Sequence, residues 1–157
     1  MIIDKSNYKK YMSATTTTMH CNHSNITEIR YLPDGLVRLD CYHNQLTSLP
    51  ELPDSLVILY CENNHITSLP DLPDSLETLY CENNQLTSLP KLPNSFVTLY
   101  CDNNQLTSLP ELPNSLETLS CNNNRLPIEG AFYSKEDINE FKIRLDNIIK
   151  LEKFLVD

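Results

Sequence analysis

The chain has 157 residues, of which 40% are hydrophobic and 21% charged, and its formal net charge is -9. That length suits one domain with a buried core, and the composition is not that of a disordered tail. The acidic balance repels phosphate and argues against nucleic acid or anionic membrane as a partner, and no stretch approaches the roughly 18 apolar residues of a membrane span.

The first five residues, Met1 to Lys5, lack the basic patch and apolar run of a secretory signal. Residues 1–15 are read as an N-terminal cap, with a short helix predicted through Tyr8 and Tyr11. From there the chain repeats. Cysteines stand at Cys21, Cys41, Cys61, Cys81, Cys101 and Cys121, and every gap is 20 residues. The text around them repeats too, as L-x-x-L-x-C-x-x-N-x-L-T-S-L-P-x-L-P-x-S. Asn44, Asn64, Asn84, Asn104 and Asn124 fill the Asn position, while the first unit keeps Met19 and Cys21 but has Ser24 in place of Asn.

Each unit predicts a short strand at L-x-C-x, with successive strands stacked in parallel about 4.8 Å apart. Alternation turns Leu59 and Cys61 inward and Ile58, Tyr60 and Glu62 outward. The L-P-x-L-P run favours polyproline II, with its leucines in the core. The Asn column is expected to be buried and to satisfy backbone groups of neighbouring coils.

Residues 129–157 follow the last unit. A solenoid must cover its end coils, which have no neighbour. Ser134 followed by Asp137 reads as a helix N-cap, and Ile138, Phe141, Leu145, Ile148 and Leu155 fall on one helical stripe. A capping helix is predicted over 135–156.

The repeated unit resembles the leucine-rich repeat, L-x-x-L-x-L-x-x-N/C-x-L, with Cys in place of the third Leu. Its length and its L-P-x-L-P segment are similar to the short repeats of secreted bacterial effectors of the IpaH and YopM kind. The Cys variant also resembles repeat proteins of giant viruses of amoebae. The resemblance covers residues 16–128. It implies an α/β solenoid: a right-handed coil with six short parallel strands on the concave face, a polyproline-II-like convex side and a C-terminal capping helix. It also implies a bacterial effector or viral product acting inside a host cell. The IpaH-type ubiquitin-ligase module is not expected, since only 129–157 follow the repeats.

The cysteines sit at an interior position, where a thiol packs as a small hydrophobe and a reducing compartment is implied. Disulfides between coils or a metal on the thiol column are the alternatives, although no closely spaced Cys pair of zinc-site type occurs. His20, His23 and His43, with Asp40, are candidates for a transition-metal site on the first two coils; the alternative is that they are solvated surface residues. His23 and His43 should be ladder neighbours.

The outward columns carry the main functional reading. Tyr60, Tyr80 and Tyr100 form one column, and Tyr42, Glu62, Glu82 and Asp102 the next. Asn83 belongs to a third, with His23, His43, Asn63, Asn103 and Asn123. Tyrosine offers large contact area with a polar tip, as binding surfaces favour. Alternatively, duplication copied these residues and the rings only stabilise the sheet. Carboxylates about 5 Å apart repel by about 0.8 kcal/mol per pair even in water, a cost that a basic partner would relieve. The expected function is therefore protein binding on the concave face, with no enzyme activity and no cofactor. A structural, self-assembling role through the C-terminal helix or an edge coil is the alternative.

Overall fold

A computed structural model describes residues 1–13 and 17–154. In chain order the elements are β1 (Ile2–Ile3), a 3-10 turn (Tyr8–Tyr11), β2 (Thr18–His20), β3 (Glu28–Ile29), β4 (Arg38–Asp40), β5 (Ile58–Tyr60), β6 (Thr78–Tyr80), β7 (Thr98–Tyr100), β8 (Thr118–Ser120), β9 (Ala131–Phe132) and α1 (Lys135–Phe154). Strands β2, β4, β5, β6, β7 and β8 run parallel in that order, one per coil. Every residue faces its equivalent in the next coil, so Leu39, Leu59, Leu79, Leu99 and Leu119 form one inward column. The solenoid read from the period is therefore the architecture observed.

The strands are shorter than expected and stop before the cysteine. The chain turns two residues beyond it, where His23, His43, Asn63, Asn83, Asn103 and Asn123 take φ between 51° and 57°. Asparagine tolerates this left-handed region better than most side chains. The ladder nevertheless continues through the turn, with Cys61 N donating to Tyr80 O (2.9 Å) and Asn63 N to Glu82 O (2.9 Å).

The core is a stack of repeated apolar columns. The strand leucines, the cysteines, and the Leu36, Leu56, Leu76, Phe96 and Leu116 column are all buried. The leucines of the L-P steps also turn inward. Leu49, Leu52, Leu89, Leu92 and Leu112 are buried, and Leu69, Leu72 and Leu109 pack half-buried against the core. Two polar ladders hold successive coils. In the first, Asn64 donates to Cys41 O and Cys61 O (3.1 Å each) and accepts from Leu46 N (2.9 Å). Asn84 and Asn104 repeat the pattern. In the second, the Ser75 hydroxyl lies within donating distance of Asp54 O and Leu56 O (2.7 Å each), and Ser55, Ser95 and Ser115 do the same. The serine recurs in the sequence unit, but its inter-coil role is visible only in the fold.

Both ends are covered. At the N-terminus β1 pairs in parallel with β3, Ile3 is buried, and Met12 bridges Met19. The predicted helix through Tyr8 and Tyr11 is a single 3-10 turn. At the C-terminus β9 adds an antiparallel strand to β8, an element the period could not announce. Ser134 caps α1 by accepting from Asp137 N (3.1 Å) while its hydroxyl donates to the Asp137 carboxylate (2.9 Å). Ile138 and Phe141 are buried, Leu145 and Ile148 half-buried, and Phe141 packs on Phe132 with ring centroids 4.7 Å apart. Leu155, the last residue of the predicted stripe, lies outside the described residues. Among the described residues no helix is long and apolar enough to cross a membrane.

Candidate functional site

The in-register strands hold side chains of equal phase one coil apart, which brings the predicted columns together on the sheet face. Tyr60 and Tyr80 meet edge to face at 4.7 Å, and Tyr80 and Tyr100 stack at 4.6 Å with an interplanar angle of 15°. All three rings are half-buried. At the N-terminal end Asp40 stands at the tyrosine position, and Arg38 reaches the last ring from the column beside it. Its guanidinium lies 4.6 Å over the Tyr60 ring and donates to both Asp40 oxygens, at 2.7 and 3.2 Å. His20 Nδ1 lies 2.8 Å from the same carboxylate. Asp40 is 3% exposed, so these partners meet the desolvation that its burial imposes.

The geometry does not gather the metal candidates His20, His23, His43 and Asp40 around one point. Asp40 is committed to Arg38 and His20, and the His23 and His43 rings stack face to face at 4.4 Å with Tyr42 at their edges. The four candidates do not converge, and no group of three or more His, Cys, Asp and Glu able to hold a metal occurs among the described residues.

The carboxylate column is also not the uniform array expected. The Asp102 carboxylate accepts from the Ser120 hydroxyl (2.7 Å), Asn122 N (2.9 Å) and Asn122 Nδ2 (3.0 Å). Glu62 and Glu82 are half-buried, and the Oε2 atom of each is shielded with no hydrogen-bond partner. Burial raises the pKa of Glu62, with the Asp40 charge adding to it. Burial likewise pushes Glu82 up to about 7; its own backbone N–H opposes the shift, and Glu62 and Asp102 reinforce it. Among the described residues no ion pair reaches either glutamate.

Asn83 lies at the left-handed turn with φ 54°, which gives its identity a backbone cause. The six cysteines are buried and free. Burial raises their pKa values, to about 12 for Cys21, where Asp40 contributes, and about 11 for Cys121. Neutral, enclosed thiols are poor nucleophiles.

Two parts of this arrangement are not among the residues singled out from the sequence. Arg38 is one; its spacing of two from Asp40 on one strand face is the available signal. Glu129 accepts from Asn123 N (3.0 Å) and Asn124 N (2.6 Å), and Gly130 O accepts from Cys121 N (2.8 Å). In the inner coils the next coil's carbonyls fill the Asn123-type and Cys121-type roles.

Residues 34–74, 54–94 and 74–114 match the family model described as leucine-rich repeats (2 copies). The chain belongs to the leucine-rich-repeat family. No curated protein sequence matches it. Among solved structures it is similar to a Shigella effector leucine-rich-repeat domain, at 36% identity and a TM-score of 0.74, over 81% of this chain and 58% of that one. It is also similar to YopM of Yersinia enterocolitica WA-314, at 32% identity and a TM-score of 0.64, over 77% of this chain and 32% of that one. YopM of Yersinia pestis aligns at 27% identity and a TM-score of 0.51, over 78% and 48% of the two chains. The leucine-rich-repeat chain thus spans less than two thirds of each of these structures. An effector-like repeat fold of this kind supports a protein-interaction module, and such folds are typically binding scaffolds without catalysis.

Proposed function

We propose that this leucine-rich-repeat chain binds a partner protein across the sheet face, with Tyr60, Tyr80 and Tyr100 as anchors. Glu62, Glu82 and Asp102 supply charge complementarity to a basic partner surface, and Tyr42 and Asn83 border the contact. The observation that carries this reading is the row of three half-exposed tyrosine rings in mutual contact beside two carboxylates that no ion pair among the described residues reaches. The effector-like repeats favour a host protein as partner, and the six reduced thiols favour a reducing, intracellular setting.

The test is quantitative capture from amoebal and mammalian lysates, comparing the wild type with a folded Tyr60→Ser, Tyr80→Ser, Tyr100→Ser variant. A protein held by the wild type and lost by the variant supports the reading. Equal capture by both overturns it.

Self-association is the second reading. Ile143 and Leu151 on α1 are 63% and 62% exposed, which leaves apolar surface on the C-terminal cap. A sedimentation coefficient that rises with protein concentration would favour it, and a monomer at all concentrations would exclude it.

A further inference from the structure

Helix α1 uses only one side to cover the last coil. Ile138 and Phe141 are buried there and Leu145 and Ile148 are half-buried, while Glu136, Asn139, Ile143, Asn147 and Lys150 are exposed. At about 100° per residue these five lie within about 40° of Ile143, so they form one stripe on the far side of the helix. Ile143 stands at its centre, an apolar side chain 63% exposed.

Nothing in the chain engages the stripe. The ion pair of α1 joins Lys135 to Glu117, and Lys142 Nζ donates to Pro113 O (3.0 Å). Both contacts tie the helix to the solenoid. Among the described residues none of the five stripe side chains makes a hydrogen bond or an ion pair.

The order of residues along the stripe decides what fits it. Asn139 and Asn147 stand four residues either side of Ile143, and Glu136 and Lys150 stand seven residues either side. Reversing the helix therefore exchanges amide with amide and anion with cation. A second α1 laid antiparallel across the first at Ile143 sets Ile143 on Ile143. It brings each Asn139 near the other copy's Asn147, and an amide both donates and accepts. It also brings each Glu136 near the other copy's Lys150. Glu140 and Asp146 stand on opposite flanks of the stripe, so the reversal does not set them face to face. A two-fold axis makes all these contacts with the same patch on both copies.

We propose that the Ile143 stripe of α1 is the contact face of a two-fold dimer of this chain. The inference rests on the self-association reading above and names its surface and its geometry. From Glu136 to Lys150 the stripe is about 21 Å long. A helix pair of that length falls below a standard-size interface, so the dimer is weak and reversible. It uses none of the sheet-face tyrosines, so a dimer carries that face twice.

The experiment is sedimentation velocity on the full chain at concentrations up to about 1 mM, where weak association is still populated. Ile143→Glu, Glu136→Lys and Lys150→Glu are compared with the wild type. All three positions are exposed, and circular dichroism confirms that each variant is folded. The wild-type sedimentation coefficient should rise with concentration, and Ile143→Glu should stay monomeric. Either charge reversal should weaken association about fivefold to tenfold, because two attractive pairs become two like-charge pairs. An equal mixture of Glu136→Lys and Lys150→Glu should recover association, since every pair in the mixed dimer is again opposite in sign. A chain carrying both reversals should recover it too.

If the wild type associates and Ile143→Glu associates equally, the α1 dimer fails and self-association stands. A mixture no better than its components has the same meaning. A wild type that stays monomeric throughout overturns both.

Discussion

Asn84→Ala is the sharpest test of what holds the coils together. Asn84 donates to Cys61 O (3.0 Å), Cys81 O (3.2 Å) and Glu82 O (3.3 Å), and accepts from Ile66 N (2.9 Å). The carbonyls have other donors: Asn64 serves Cys61 O, Asn104 serves Cys81 O, and Asn63 N serves Glu82 O. The Ile66 N–H has no substitute and sits in a residue that is 0% exposed. One orphaned buried donor costs about 1–3 kcal/mol, and the loss of shared carbonyl contacts brings the total to about 2–3 kcal/mol. For a chain of this size that corresponds to a fall in Tm of about 5–10 °C. Asn84→Asp should be at least as damaging at neutral pH. It restores the acceptor for Ile66 but places a buried charge against three carbonyls. Urea denaturation of both variants measures the two costs directly. A loss below about 0.5 kcal/mol for the alanine variant, or an aspartate variant clearly milder than alanine, would refute the reasoning.

Other outcomes follow from the same geometry. Glu82 is raised from its ordinary 4.5 to about 7, so the protein is most stable with Glu82 protonated and loses stability as pH rises through that interval. Because the side chain is half-exposed, Glu82→Gln should recover only on the order of 1 kcal/mol at pH 8 and nothing at pH 4, read from urea midpoints at both pH values. Glu129→Ala should cost about 1 kcal/mol by freeing the Asn123 and Asn124 amides, and amide exchange should quicken first in the last coil. Gly130→Ala would set a methyl 2.5 Å from the Phe132 ring, forcing the ring off Phe141 at a cost of about 1–3 kcal/mol in thermal denaturation. The six thiols should resist iodoacetamide in the native protein at pH 8 and all react in urea, and rapid native labelling of Cys61 or Cys81 would contradict their burial.

The coil is legible in the amino-acid sequence. A period of 20 with Leu and Cys two residues apart sets one inward phase per strand, and identical coils in register must then stack. The asparagine column was equally legible, because a buried amide at a repeated turn has only backbone to bond. The Ser134 and Asp137 pair announced α1 for a similarly local reason. The columns of the candidate site were also visible, since register carries outward residues together just as it does inward ones.

Their inequality was not visible. Asp102 is satisfied because the last coil presents Ser120 and Asn122, Asp40 because Arg38 and His20 reach it, and Glu62 and Glu82 have neither. The antiparallel β9, the Glu129 and Gly130 acceptors and the early stop of each strand likewise depend on what lies across a coil boundary. A repeat states what every coil shares. Solvation and partners at a coil's edge differ from place to place, because they depend on which residues the folded chain brings across the boundary.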